Sequence, residues 1–139
     1  MKQTTVLLAE DHHLVRRELR KILELEDDLT VVGEAKNGRQ AVAMVQKLRP
    51  AVVVMDIGMP VLNGLEATCE ILKAFPATKI IMHSAHSDDA YIEAAAQTGA
   101  MGYLIKPSSA GIICAAIRKV QNGIKFFSPS ILKRLRQRN

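Results

Sequence analysis

The sequence lacks a long uninterrupted run of apolar residues. None of the apolar stretches in its 139 residues approaches the roughly 20 residues that a membrane-spanning helix needs. Residues 1–5 lead into a short apolar run that is followed by an acid pair, and this is not the layout of a signal peptide. We therefore expect a chain that makes no membrane contact and resides in the cytoplasm.

Cysteine and histidine are also scarce, and neither residue type shows the spacing of a structural metal site. The two cysteines, Cys69 and Cys114, lie far apart and form no CxxC motif. Both fall among apolar neighbours in predicted helices, where cysteine usually serves as a small core side chain. The four histidines have no spacing typical of zinc ligands. These absences argue against a redox motif and against a zinc site.

The positive charge of the chain is concentrated in its C-terminal segment. The net charge is +5, and residues 125–139 contain five basic residues and no acidic one. Removing these five from the 19 basic residues of the chain leaves 14 basic against 14 acidic residues. A basic tail is usually a solvated linker, so by itself it is weak evidence for contact with nucleic acid.

Short apolar or β-branched runs alternate with stretches of helical periodicity along the chain. The third run is almost continuously apolar, which is typical of a strand covered on both faces. Pro50 and Pro76 end the second and third helical stretches, while Gly99 and Gly123 stand where helices commonly end in glycine. The predicted strands are Val6–Ala9, Thr30–Glu34, Ala51–Met55, Lys79–His83 and Met101–Ile105.

Five strands that alternate with five helices predict an α/β fold of the (βα)5 type. Such chains form a doubly wound parallel sheet with right-handed crossovers and with helices on both faces. Ser87 and the pair Ser108–Ser109 are candidate N-caps of the fourth and fifth helices. The strands of such a sheet all end at one edge, where ligands bind at the topological switch point. A functional site is therefore expected among the residues that follow the strands.

Five polar residues stand at or just after the predicted strand ends. Glu10 and Asp11 come after the first strand, and Asp56 follows the third. Ser84 follows the fourth strand, and Lys106 follows the fifth. Each of these residues alone is commonly a cap or a turn residue. Together they bring three carboxylates, a hydroxyl and an ammonium group to one edge of the sheet.

This combination predicts phosphoryl transfer to a carboxylate. Crowded carboxylates repel one another unless a cation lies between them, and ligation by oxygen alone favours Mg²⁺ over zinc. Asp56 follows the most buried strand and is the predicted nucleophile, which would form an aspartyl phosphate. Lys106 would offer positive charge, and Ser84 a hydroxyl donor, to oxygens of the transferring group.

The sequence around these positions resembles the response-regulator receiver domain of two-component signalling. The resemblance covers about residues 4–122, and the separations between the motifs fit as well. It is greatest to the NarL/FixJ (LuxR-type) subfamily, whose members carry a helix-turn-helix DNA-binding domain after the receiver. The stretches that match the family are Leu7–His12, Val54–Pro60, Asn63–Gly64, Met82–Ala85 and Gly102–Pro107, and those that match the subfamily are Glu10–Arg16 and Asn63–Thr68.

The resemblance implies a flavodoxin-like, five-stranded sheet with strand order 2-1-3-4-5 and a magnesium site. Asp56 would be the phosphorylation site. Asp11 and Asp56 would bind Mg²⁺ directly, Glu10 would do so mainly through water, and the backbone carbonyl of Gly58 would complete the ligands. Glu10 stands where Asp is commoner. Gly58 and His86 stand where the family tunes the lifetime of the phosphoryl group, so that lifetime does not follow from the sequence.

The resemblance also implies a switch pair beside the site. The Ser84 hydroxyl would move to the phosphoryl group, and the Tyr103 ring would turn inward to fill the space. Lys106 would bind the phosphoryl group, and the bond between Lys106 and Pro107 would be cis, which X-Pro bonds tolerate. The readout would be the face formed by the fourth helix, the fifth strand and the fifth helix.

Domain boundaries and partners follow from the same resemblance. Residues 1–124 would form the receiver domain, and residues 125–139 a basic linker, in which Ser128 or Ser130 caps a short helix with Ile131 and Leu135 on one face. A sensor histidine kinase would supply the phosphoryl group. Phosphorylation would favour a homodimer or release a C-terminal DNA-binding domain that is not in this chain. We expect the receiver half of a longer transcription regulator; a stand-alone receiver acting through protein contacts is the alternative.

Three other functions fit the sequence less well. An aspartyl-phosphate hydrolase commonly needs a second acid two residues after the nucleophile, where this chain has Gly58, so we expect no turnover enzyme. A nucleotide- or flavin-binding module would need a glycine-rich loop after the first strand, where Glu10 and Asp11 would repel phosphate. A degenerate receiver would lack part of the polar set, yet the acid pair, Asp56, Ser84 and Lys106 are all present.

Overall fold

The computed structural model describes residues 3–128 together with residues 131 and 133. Strands and helices alternate from the first strand to the fifth helix, as the sequence predicts, and a further short strand follows. The strands are β1 (Thr4–Ala9), β2 (Leu29–Ala35), β3 (Val52–Met55), β4 (Lys79–Ser84), β5 (Gly102–Ile105) and β6 (Phe126–Phe127). The helices are α1 (His13–Glu24), α2 (Gly38–Leu48), α3 (Gly64–Ala74), α4 (Asp89–Gln97) and α5 (Ala110–Gln121).

The strands form one parallel sheet in the order β2-β1-β3-β4-β5-β6. The predicted order of the first five strands is confirmed, and the predicted strands differ from the observed ones by at most two residues at either end. A sixth strand, β6, was not predicted from the sequence; its residues Phe126 and Phe127 pair with Gly102 and Tyr103. A strand of two residues is too short to show any periodicity, so its sequence gives no signal.

Apolar side chains of the strands alternate between two cores, one on each face of the sheet. In β1, Leu7 and Ala9 belong to the core that α2, α3 and α4 cover. Val6 and Leu8 belong to the opposite core, which α1 and α5 cover. All four residues of β3 are buried, which confirms the prediction that this strand is covered on both faces. Asp56 therefore follows the most enclosed strand of the sheet.

Most of the residues predicted to cap or end helices α4 and α5 are found at those helix ends. The Ser109 hydroxyl accepts a hydrogen bond from the backbone N–H of Ile112 and caps α5, as predicted. Gly99 and Gly123 follow the ends of α4 and α5 with positive φ angles of 94° and 78°. The prediction for Ser87 is wrong, because Asp88 is the N-cap residue of α4 and its side chain makes no capping hydrogen bond.

The two cysteines lie in helices, as predicted, but only one of them belongs to the core. Cys114 in α5 is buried between the sheet and α1. Cys69 in α3 is exposed, so the interpretation of this residue as a core side chain is wrong. The helical stripe of α3 places Ala67, Thr68 and Ile71 inward and leaves Cys69 on the outer side.

The segment after α5 returns to the sheet before it leaves the described part of the chain. The Ser128 N–H donates to the Tyr103 carbonyl over 2.9 Å, and the Ser128 hydroxyl accepts from the Ile105 N–H over 3.1 Å. Ile131 is fully buried in the same core as Tyr103. Ser130 and Leu135 of the predicted basic helix lie outside the described residues. In the described part of the chain, no helix has the length and apolarity to span a bilayer.

Candidate functional site

Backbone hydrogen bonds between neighbouring strand ends position the predicted site residues at one edge of the sheet. The N–H of Asp56 donates to the Ala9 carbonyl over 2.9 Å, which places Asp56 beside the end of β1. The N–H of Lys106 donates to the Ser84 carbonyl over 2.8 Å, which joins the ends of β4 and β5. The N–H of Glu10 donates to the last residue of β2. The order of the strands therefore brings these residues together, although they are far apart in the sequence.

Three acidic side chains meet at this edge. Glu10, Asp11 and Asp56 each contribute a carboxylate oxygen, and the His12 ring contributes a nitrogen, to a group of atoms that all lie within 4.8 Å of one another. Glu10 and Asp56 are 1% and 6% exposed, so water screens them poorly. The buried Oδ1 atom of Asp11 accepts no hydrogen bond from the described residues. His12 was not predicted from the sequence as a member of this group, although it directly follows the acid pair.

Lys106 is the lysine that reaches into this acidic group. Its Nζ atom lies 2.6 Å from Glu10 Oε1 and 3.5 Å from Asp56 Oδ1. The His12 ring nitrogen Nδ1 lies 3.1 Å from Glu10 Oε2 and 3.3 Å from Asp11 Oδ1, but the His12 side chain is largely exposed. One ammonium group and one surface imidazole thus face three carboxylates.

The pKa values of the acids reflect this shortage of positive charge. Burial, followed by the negative charge of Glu10, raises the pKa of Asp56 to about 6. Burial would also raise the pKa of Glu10, but the hydrogen bond and the charge of Lys106 outweigh it and lower that pKa. A hydrogen bond to Glu10 and the charge of Asp11 raise the pKa of His12. Of the two buried carboxylates, Asp56 is thus the one that Lys106 compensates less.

The donor set fits a hard divalent cation such as Mg²⁺. Clustered carboxylate oxygens are the ligands that Mg²⁺ prefers, and Asp11 Oδ1, which accepts no hydrogen bond from the described residues, offers one such ligand atom. Gly58 adjoins open space, since a Cβ atom added there would meet no heavy atom within 4 Å. The Glu10, Asp11 and Asp56 side chains can therefore hold Mg²⁺, and a ligand role for the Gly58 carbonyl stays a prediction.

Ser84 and Tyr103 both contact the backbone of His86, which lies in the loop between β4 and α4. The Ser84 hydroxyl accepts from the His86 N–H over 3.1 Å. The Tyr103 ring is fully buried, and its hydroxyl donates to the His86 carbonyl over 2.7 Å. The His86 ring stacks on the Tyr91 ring of α4 at a centroid distance of 4.0 Å. Tyr91 was not predicted from the sequence as a neighbour of the site. The Lys106–Pro107 bond is cis, which confirms the prediction.

The N-terminus of α3 supports the backbone at Asp56. The Gly64 N–H donates to the Ile57 carbonyl over 2.8 Å. A Cβ atom at Gly64 would lie 2.2 Å from the Asp56 carbonyl oxygen, so this close approach requires glycine. The neighbouring Asn63 caps the helix by accepting from the Glu66 N–H and donating to the Glu66 carboxylate. The matched stretch Asn63–Gly64 thus has a packing role at the site.

Comparisons with known proteins agree with this arrangement. The family model for the response regulator receiver domain matches residues 6–118. The transcriptional regulatory protein DegU of Brevibacillus brevis is 35% identical over 94% of this chain, which covers 55% of that protein. The response regulator protein VraR of Staphylococcus aureus (strain COL) is 35% identical over 96% of this chain, which covers 64% of that protein. The chain thus spans somewhat more than half the length of these curated relatives.

Solved structures of the same family superpose closely on this fold. A two-component response regulator of the LuxR family from Aurantimonas sp. SI85-9A1 has a TM-score of 0.93 at 29% identity, with 99% of this chain and 98% of that chain covered. The isolated REC domain of RcsB from Salmonella enterica serovar Typhimurium, solved with the phosphomimetic BeF3⁻, has a TM-score of 0.87 at 26% identity, with 95% and 98% covered. From its family match, its relatives and its sheet, this chain belongs to the response regulator receiver domain family, with relatives of the LuxR/NarL type.

Proposed function

We propose that the chain is a magnesium-dependent phosphorylation switch in which Asp56 accepts a phosphoryl group from a sensor histidine kinase. The observation that carries this proposal is the position of Asp56. Its carboxylate lies among two further acids, with Lys106 Nζ 3.5 Å from Oδ1. A carboxylate in this setting is a nucleophile with charged groups already placed around the incoming phosphoryl oxygens.

The transfer forms one bond and breaks one bond. An Asp56 oxygen attacks phosphorus, the bond between phosphorus and the donor breaks, and the electron pair leaves with the donor. Because the pKa of Asp56 is about 6, its carboxylate is mostly ionised and nucleophilic at neutral pH. When bound by Glu10, Asp11 and Asp56, Mg²⁺ supplies positive charge to the phosphoryl oxygens. The Lys106 ammonium group supplies positive charge to a further phosphoryl oxygen.

The switch step begins at Ser84. Its hydroxyl, which now accepts from the His86 N–H, is free to donate to a phosphoryl oxygen on Asp56. Tyr103 holds the carbonyl of the same His86 residue, so a displacement of Ser84 changes the loop that leads into α4. Phosphorylation thereby shifts the population between two arrangements of the α4–β5–α5 face.

The output that we propose acts through this face. Phosphorylation favours a homodimer or releases a C-terminal helix-turn-helix domain that binds DNA, and the chain works in the cytoplasm as the receiver part of a transcription regulator. The names of DegU and VraR, a transcriptional regulatory protein and a response regulator protein, support this output. The alternative is a stand-alone receiver that acts through protein contacts. Gly58 provides no general acid two residues after Asp56, which supports a switch rather than a turnover enzyme.

Incubation with a small phosphodonor such as acetyl phosphate tests the proposal. Intact-mass analysis should show a single phosphoryl adduct that forms with Mg²⁺, disappears with a chelator and is absent from Asp56→Asn. Asp89→Asn, at the start of α4, is a control that keeps every proposed ligand and should form the adduct. An adduct that persists in Asp56→Asn, or no adduct in the wild-type chain, would contradict the proposal.

A further inference from the structure

A buried arginine, Arg16, contacts the backbone beside the acid pair Glu10 and Asp11. Arg16 projects from the first turns of α1 and is only 6% exposed, which is rare for an arginine unless its charge and its donors are satisfied. The proposed phosphoryl transfer does not use Arg16, because its guanidinium contacts other groups. Its burial therefore calls for a separate explanation.

The guanidinium of Arg16 joins three parts of the chain. Nη1 donates to the backbone carbonyl of Glu10 over 2.8 Å, and Nε donates to Oε1 of Glu34 over 2.9 Å. Nη2 lies 3.3 Å from Nδ1 of His13. Glu34 is close to the end of β2, while Glu10 lies between β1 and α1. The planar guanidinium group of Arg16 thus links the loop that contains the acid pair to strand β2.

The bond to the Glu10 carbonyl fixes more than one residue. That carbonyl belongs to the planar peptide unit between Glu10 and Asp11, so its direction sets the plane that connects the two acidic residues. The N–H of Glu10 is held in turn by the Ala35 carbonyl over 3.0 Å. Both backbone groups of Glu10 are therefore anchored to the end of β2, one directly and one through Arg16 and Glu34.

A second arginine holds Glu34 in place. Arg20 Nη1 donates to Oε2 of Glu34 over 2.6 Å, and Arg20 Nε donates to Glu24 over 2.6 Å. Burial alone would raise the pKa of Glu34, but the hydrogen bonds from Arg20 and Arg16 lower it, so Glu34 stays ionised. Each oxygen of Glu34 thus has an arginine partner, which leaves Arg16 little freedom to turn away from Glu10.

We propose that Arg16 is a positioning residue of the magnesium site, which fixes the peptide plane between Glu10 and Asp11 and so sets the affinity for Mg²⁺. This inference rests on the proposed function, because it assigns Arg16 to the same site. A role in ion pairing alone would require only the contact with Glu34. The bond to the Glu10 carbonyl is the contact that directs Arg16 toward the acids.

Calorimetric titration of the whole chain with Mg²⁺ tests this role. Arg16→Met keeps much of the side-chain volume but loses every donor, and it should weaken Mg²⁺ binding about 10–100-fold, the usual effect of removing a group that orients metal ligands. Arg16→Lys keeps one donor and should lie between Arg16→Met and wild type. Arg17→Met, at the exposed neighbouring position of α1, is the matched control and should bind as wild type does.

Two further measurements separate positioning from a general loss of stability. Glu34→Gln removes the charge of the ion pair but keeps one side-chain oxygen that can accept from Arg16 Nε, so Arg16 can still donate to the Glu10 carbonyl. This variant should lower the denaturation midpoint while its Mg²⁺ affinity stays near that of wild type. In phosphorylation assays, Arg16→Met should raise the Mg²⁺ concentration that gives half the maximal rate. Its rate at saturating Mg²⁺ should approach that of wild type, because Asp56 and Lys106 are unchanged.

The outcomes distinguish this inference from the function on which it rests. If folded Arg16→Met and Arg16→Lys bind Mg²⁺ as tightly as wild type, the positioning role is wrong and the proposed function stands. If Arg16→Met does not fold, Arg16→Lys decides alone, and wild-type affinity in that variant overturns the inference. If the wild-type chain itself binds no Mg²⁺, both the inference and the proposed function fail.

Discussion

At the scale of single residues, Asp56 and Lys106 show how burial and charge prepare one carboxylate for reaction. Asp56 is nearly buried and lies beside the ionised Glu10, which raises its pKa to about 6. Lys106 donates to Glu10 over 2.6 Å and lies farther, 3.5 Å, from Asp56. The lysine thus compensates Glu10 first, and Asp56 keeps a charge that a further cation can neutralise.

The raised pKa of Asp56 predicts how stability changes with pH in metal-free protein. Between the ordinary value of 3.8 and the folded value of about 6, the folded state binds more protons than the unfolded state, so the free energy of unfolding falls as pH rises. Asp56→Asn removes this cost and should stabilise the protein at neutral pH by roughly 1–3 kcal/mol. The gain should shrink toward zero below about pH 4.

Denaturant unfolding of both proteins with a chelator present, at neutral and at acidic pH, measures this difference. The same difference at both pH values would show that the charge of Asp56 does not cost stability.

Lys106→Met should change the response of the protein to Mg²⁺. Without the ammonium group, three carboxylates lack their principal internal cation, so the metal-free protein becomes less stable. Because Lys106 also competes with a metal for these oxygens, saturating Mg²⁺ should raise the melting temperature more in the variant than in wild type. Thermal melts with and without Mg²⁺ check this, and an equal rise in both proteins would argue against a shared set of ligand oxygens.

The sequence predicted the place of the site residues better than their contacts. Polar residues after strands can be recognised in a sequence, so Glu10, Asp11 and Asp56 could be assigned to one edge of the sheet. The bond between Lys106 and Glu10 depends on side-chain rotamers and spans 96 positions, which no sequence pattern encodes. Arg16 in α1 gave no signal as a site residue, because its partner Glu34 lies on β2, 18 positions further along the chain.

At the scale of elements, the start of α3 supports the acceptor backbone through a glycine. Gly64→Ala would place a Cβ atom 2.2 Å from the Asp56 carbonyl oxygen, so α3 or the acceptor loop must move. We expect a loss of stability of about 1–3 kcal/mol, the range for overpacked sites, together with slower phosphorylation.

Gly111→Ala is the matched control for this prediction. Gly111 lies in the first turn of α5, and a Cβ atom there would meet nothing within 4 Å. This change should stabilise the protein by up to about 1 kcal/mol, because alanine favours the helix. Denaturant unfolding of both variants provides the measurement. Similar effects of the two substitutions would show that the contact between α3 and Asp56 is not close in solution.

The sequence predicted the five longer strands and the five helices, since each of these elements has its own periodicity and end signals. It did not predict β6. Phe126 and Phe127 form this strand by pairing with the edge of β5, and two residues alone have no recognisable strand pattern. It also misjudged Cys69, since apolar neighbours in the sequence do not show which side of a helix meets the sheet.

At the scale of the whole molecule, the face proposed for output includes an addition from the C-terminal segment. β6 pairs with β5, and Ser128 binds the backbone of Tyr103 and Ile105 at the end of that strand. Ile131 is buried in the same core as Tyr103. The first residues after α5 thus pack directly on the strand that carries the proposed switch residue.

Phosphorylation should change the association of the molecule through this face. We expect the dimer affinity to rise when a phosphoryl mimic such as beryllofluoride is bound with Mg²⁺, because the mimic favours the active arrangement. Sedimentation velocity over a range of protein concentrations measures the affinity, and Asp56→Asn with the same reagents is the control. Equal affinity with and without the mimic would remove the dimer from the proposal and leave release of an output domain.

The most direct test of the central claim is to locate the modified residue after phosphorylation. Borohydride reduces an aspartyl phosphate to homoserine, which peptide mass mapping can assign to one position. Protein treated with acetyl phosphate and Mg²⁺, then with borohydride, should carry homoserine at position 56 and should keep aspartate at position 11. Homoserine at another position, or none at position 56 when the intact protein carries a phosphoryl group, would contradict the assignment of Asp56 as the acceptor.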